Sequence, residues 1–228
     1  MSKRFYWKKI RPIIISVVVC SLLFLILMAI ASNRNGNLTI FVDRTSVTKS
    51  LSLSEYRTLK EPKGKLYGPS IDNAWDTRLC EEGENPNEIA CVPTDTYLLD
   101  GNRSGKHYIA YTFYVFNSGI ESLDYSMSFN IENTSNHLDE AIRVRLYIND
   151  NMTTYAKKSP VTNEAEFGTT AFNSNKEIMS HTVSDFAPEE VTKYSIVLWV
   201  DGYDEECTND KIGGSITLSM SFSVLGIV

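Results

Sequence analysis

The sequence predicts a mainly β fold, an antiparallel β-sandwich of jelly-roll-like or Ig-like type, preceded by one N-terminal transmembrane helix. Three observations carry this expectation. A 19-residue uncharged run near the N-terminus follows a basic tail. Several short segments beyond it alternate apolar and polar residues with the period of two that strands require. No helical periodicity of comparable length appears after the apolar run.

Lys3, Arg4, Lys8, Lys9 and Arg11 precede the stretch from Ile13 to Ala31, which only Ser16 and Ser21 interrupt. At about 1.5 Å per residue, a helix of that length approaches the roughly 30 Å of a bilayer's hydrocarbon core. Basic residues on the short side, with Phe5, Tyr6 and Trp7 at the interface, orient the start inward and the remainder outward. The expected organisation is a cytoplasmic tail over 1–12, a signal-anchor helix over 13–31, a tether over 32–37 and an extracellular domain over 38–228. Ala29-Ile30-Ala31 also has the small-x-small pattern of a signal-peptidase site, so secretion after cleavage following Ala31 is the alternative.

Removing the five basic tail residues from the 22 in the chain leaves 17 against 28 acidic, a net charge of −11 for the exported part. Such a surface excludes nucleic acid as a partner. The expected partners are the membrane and other proteins at the cell surface, including further copies joined by strand addition.

Along the exported chain, strands are expected at Leu38–Val42, Val47–Leu53, His107–Phe116 and Leu123–Ile131. Over Ala141–Ile148, Ile142, Val144, Leu146 and Ile148 alternate with Arg143, Arg145 and Tyr147, which predicts one buried and one wet face. Tyr194–Val200 is almost continuously apolar and suits a central strand. Ile216, Leu218, Met220 and Phe222 alternate with Thr217, Ser219 and Ser221 in a half-buried one. Glu55–Asp76, with Pro62, Gly64, Gly68 and Pro69, predicts an irregular connection. The tyrosines and phenylalanines of the 108–116 segment are expected to pack in the core.

Two clusters suggest chemistry. Cys80 and Cys91 flank an acidic loop, and bridging them would stabilise the fold by about 3 kcal/mol in the chain-entropy model. Pairing with Cys207, or no bridge, is also compatible with the spacing. Asp201, Asp204, Glu206 and Asp210 offer hard oxygen donors between the last two long strands, with calcium as the candidate cofactor, although the spacing of an EF-hand loop is missing. His107, His137 and His181 stand in no H-E-x-x-H motif, and no G-x-S-x-G is present, so no enzyme is expected.

The run Leu198-Trp199-Val200-Asp201-Gly202, the acidic Cys-containing loop, Gly213-Gly214 and the final strand to Val224 resemble bacterial surface and matrix proteins of the TasA and camelysin type. The resemblance covers roughly the last 35 residues. It implies a jelly-roll-like domain exported by a Gram-positive bacterium and acting in a surface layer or biofilm matrix. It also raises an exported metallopeptidase as an alternative function, and a ligand-binding accessory component of an envelope complex is a third. The retained apolar segment and the additional exported cysteine depart from that pattern.

Overall fold

A computed structural model describes residues 15–23, 37–70, 76–86 and 88–227. The chain divides into two units, Met1–Asn35 and Gly36–Val228. In the first, residues 15–23 are helical and exposed. No helix among the described residues is long and apolar enough to cross a membrane. The basic tail, most of the tether and the remainder of the expected 13–31 span lie outside the described residues.

The second unit is mainly β, with two principal sheets packed as a sandwich and no closed barrel among the described residues. Strands are numbered along the chain. The smaller sheet has five strands in the order β12 (Glu177–Phe186), β8 (Leu123–Thr134), β14 (Ile216–Ile227), β1 (Leu38–Val42) and β3 (Lys65–Tyr67). In the larger, β11 (Thr170–Ala171), β10 (Asn151–Ala156), β9 (Ile142–Ile148) and β13 (Val191–Asp201) lie side by side. β7 (Tyr108–Asn117) pairs with the other flank of β13 and carries β2 (Leu51–Ser54) and β6 (Gly101–Asn102). β4 (Asp76–Leu79) pairs with the end of β13 and is followed by β5 (Cys91–Val92).

The sheets are mixed, which corrects the antiparallel expectation. β1 runs parallel to β14, and β4 runs parallel to both β13 and β5. The reason lies in chain order: β1 enters the domain beside the last strand, so no hairpin can join the two and set them antiparallel. The strand expected over Val47–Leu53 is also revised. Arg44–Val47 forms one helical turn, and β2 begins at Leu51 after Ser50, whose φ of 73° turns the chain.

Period-two alternation builds the core. Leu38, Ile40 and Val42 face inward from β1, as do Ile142, Val144 and Leu146 from β9 and Leu218, Met220 and Phe222 from β14. Across the centre, Phe113 and Tyr194 stack at 5.5 Å, and Tyr194 meets Phe222 edge-on at 5.3 Å. Such contacts add to the area that the rings remove from water. The buried hydroxyls of Tyr125 and Tyr194 hydrogen-bond to each other at 3.1 Å, which satisfies two polar groups that apolar surroundings would otherwise penalise. The five aromatics expected in the 108–116 core segment are all buried. Near the C-terminal end of β7, buried Asn117 donates to the Glu121 and Phe186 carbonyls at 2.8 and 3.0 Å and ties two connections to the sandwich.

Candidate functional site

At one end of the sandwich, the starts of β9 and β14 and the ends of β10 and β13 bring together the loops that carry most charge. The site grows from Arg143, on β9. The alternation of β9 turns this residue away from the Ile142 and Val144 side, yet the chain folds over it and leaves it buried. Its guanidinium takes two carboxylates, one from the last residue of β13 and one from the loop that follows: Nε lies 3.2 Å from Asp201 Oδ2, and Nη1 donates to Asp204 Oδ2. The Asp204 side chain is fully enclosed. A planar cation with a fixed fork of donors suits such a buried pair.

Further acids crowd this ion pair. The Glu206 N–H donates to Asp204 Oδ1 at 2.9 Å, while the Glu206 carboxylate accepts from Ser159 Oγ at 3.3 Å. A carboxyl hydrogen bond with Asp204 and partial burial push Glu206 up to about 7. Burial, then the charge of Asp204, raises Glu166 from the neighbouring loop. A carboxyl that keeps its proton near neutrality donates to its neighbour and does not repel it.

Asp210 is engaged elsewhere. Its carboxylate receives the Thr208 hydroxyl and lies 3.2 Å from Lys211 Nζ, which also contacts Glu140 at 3.0 Å. Lys157 Nζ pairs with the nearly enclosed Asp139 at 2.7 Å. Three of the four candidate calcium ligands are therefore taken by cations, Asp201 and Asp204 by Arg143 and Asp210 by Lys211, while Glu206 lies beside Asp204. Among the described residues, no group of three or more His, Cys, Asp or Glu side chains is arranged to hold a metal ion.

Cys80 and Cys91 form a disulfide, as one of the sequence alternatives had it, and Cys207 is free. From β4, Arg78 Nη1 donates to Glu84 Oε2 in the bridged loop at 2.7 Å, and that contact holds Glu84 below the usual carboxylate range. Cys207 packs against the core and donates to Asp76 Oδ1 at 3.4 Å. Burial and the Asp76 carboxylate push its thiol up to about 12, so at neutral pH it carries no nucleophilic thiolate.

A cavity of about 290 Å3 lies at the same end. Aliphatic Ile109, Ile142 and Val200 line it together with polar Asn37, His107 and Ser215. His137 lies 3.6 Å from Glu140 on the surface, and His181 is exposed on β12. Reading the sequence missed Arg143 as the organising cation, because 58 and 61 residues separate it from its two partners and only the β9–β13 pairing unites them.

No protein-family model matches the chain, and no curated protein matches it in sequence. Among solved structures, the β-glucosidase from Kluyveromyces marxianus aligns over 79% of this chain and 17% of its own, at 10% identity and a TM-score of 0.23. The collagen-binding domain of Erysipelothrix rhusiopathiae surface protein RspB aligns over 52% of this chain and 45% of its own, at 10% identity and a TM-score of 0.18. The chain thus spans less than half the length of either.

Proposed function

We propose that this protein is a membrane-anchored structural or interaction protein of a bacterial envelope or extracellular matrix, with a jelly-roll-like ectodomain and no chemistry of its own. The observation that carries this reading is the N-terminal sequence, where a basic tail precedes an apolar run long enough for a bilayer and an acidic β-rich domain follows. The resemblance of the last strands to the TasA and camelysin type supports it. So does the chemistry of the charged end: Asp201, Asp204, Asp139, Glu140 and Asp210 are paired with Arg143, Lys157 and Lys211, an arrangement that stabilises loops.

Treating intact cells with an external protease tests location. The domain after Ala31 should be removed while a tag placed before Lys3 stays protected, and the untreated full chain should remain with membranes after alkaline extraction. Protection of the C-terminal domain would overturn the orientation, and a mature N-terminus at Ser32 in the medium would replace the anchor with a cleaved signal. Proteolytic activity of the purified chain that a chelator abolishes would establish the peptidase alternative instead.

A further inference from the structure

We infer that the free edge of β12 pairs with the same edge of a second copy about a two-fold axis through His181. β12 ends the five-stranded sheet, and among the described residues its one partner strand is β8; the Asn173 N–H donates to the Ile178 carbonyl at 3.2 Å, so the edge is free from Met179 onward. The Ile131 N–H donates to the Lys176 carbonyl at 2.8 Å, which fixes the sense of the ladder. Along β8, residues 131, 129, 127 and 125 turn their backbone groups toward β12, because these directions alternate in a strand. Their partners Met179, His181 and Val183 are thereby engaged. Ser180, Thr182 and Ser184 turn their N–H and C=O outward, and all three residues are exposed.

Sheet edges are commonly blunted by brevity, lysine, proline or bulges. β3 is three residues long and holds Lys65, while β5, β6 and β11 have two residues each. β12 has ten. Its register shifts lie between Glu177 and Met179 and between Val183 and Phe186, so the stretch from Met179 to Val183 is regular and open. Beyond it, Asp185 has a φ of 55° and its N–H is taken by Asp124 Oδ1 at 2.8 Å.

The occupant follows from charge and symmetry. The chain is strongly acidic, yet Met179–Ser184 carries no Asp, Glu, Lys or Arg, so two like-charged copies meet least repulsion there. The regular stretch is centred on His181. Antiparallel pairing must place outward groups opposite outward groups, which sets Ser180 of one copy against Thr182 of the other, twice. Met179 then faces Val183 as an apolar cross-strand pair, and His181 faces His181 with Cα atoms about 4.5 Å apart. Five paired residues make a contact well below the roughly 1,200 Å2 of a stable complex, so the pair fills only when copies share a confined surface. In that respect the inference deepens the structural role proposed above and rests on it.

Cross-linking the full chain tests the register. His181→Cys, with Cys20→Ala and Cys207→Ala to remove competing thiols, should give a disulfide-linked dimer in oxidised membranes, because the separation at the axis is within disulfide reach. Adding Thr182→Pro removes an outward N–H at an edge position where proline is tolerated, and should abolish the dimer while the Cys80–Cys91 bridge persists. In the same thiol-free background, Ser180→Cys alone should give no dimer, but mixed with Thr182→Cys chains it should give the hetero-dimer. The pairing is overturned by no dimer through residue 181, by a dimer that survives Thr182→Pro, by equal cross-linking through residue 180 alone, or by cross-linking to a different protein. If the chain is found outside membranes, the same cross-link is read on concentrated purified protein, so failure of location and failure of pairing remain separate results.

Discussion

Glu206 and Arg143 show how single residues set the behaviour of the charged end. The pKa of Glu206 in the folded chain, about 7, lies above its ordinary 4.5. The folded state therefore holds an extra proton between those values, and stability falls as pH rises through that window. Because water reaches Glu206 and screens the interaction, about 1 kcal/mol is the expected size. Glu206→Gln should match the parent chain near pH 4 and exceed its stability by that amount at pH 8, as read from urea midpoints at each pH. A constant difference across the range would show that Glu206 does not titrate in this window. Arg143→Met acts more strongly, since it leaves the enclosed Asp204 carboxylate without its cation. A loss of about 3–5 kcal/mol is expected, with the denaturant slope unchanged. None of this was legible locally: the acids stood out as a cluster, but the cation that organises them comes from another strand.

At the scale of elements, legibility followed the regularity of burial. β9 keeps Ile142, Val144 and Leu146 in the core, but its expected wet face is not wet, because Arg143 and Tyr147 are buried as well, and β13 looked central because both of its faces are covered. β12 gave no such signal. Its shifts in register and its exposed Ser180, His181 and Thr182 break the period of two, so the longest free edge of the smaller sheet escaped a reading based on pattern. The short β3, β5, β6 and β11 are held by neighbours more than by propensity. The Cys80–Cys91 bridge is the device that fixes one such region, because it joins the residue after β4 to the start of β5 across a separation of 11 residues. Replacing both cysteines with serine should cost about 3 kcal/mol by the loop-entropy argument. Thermal unfolding of the double variant beside the parent chain measures this, and an unchanged midpoint would mean that the β4–β5 region contributes nothing to global stability.

For the whole molecule, the decisive element is β1, whose apolar, β-prone sequence suits either a strand of its own domain or one donated to a neighbouring copy. It lies between β14 and β3, with Leu38, Ile40 and Val42 buried and the Leu218 N–H bonded to the Asn37 carbonyl at 2.7 Å. Withdrawing it would strip both neighbours of ladder bonds, open the sheet between β14 and β3, and expose the faces of Leu66, Leu218 and Met220 to water. Fully burying each large aliphatic side chain contributes about 1.5–3 kcal/mol, so three lost from β1 alone rival the roughly 5–15 kcal/mol that keeps an ordinary domain folded. A chain beginning at Val47 should therefore lose cooperative unfolding and its near-ultraviolet aromatic signal, whereas one beginning at Ser32 keeps both. Ile40→Ala in the longer chain should cost about 2–5 kcal/mol without changing its mass in solution, because the cavity forms inside one copy. Sedimentation and denaturant titration of these three proteins decide the matter: a shorter chain that stays folded and binds the 37–43 peptide would make β1 an exchangeable strand, and a shorter chain that unfolds makes it part of the domain's own core.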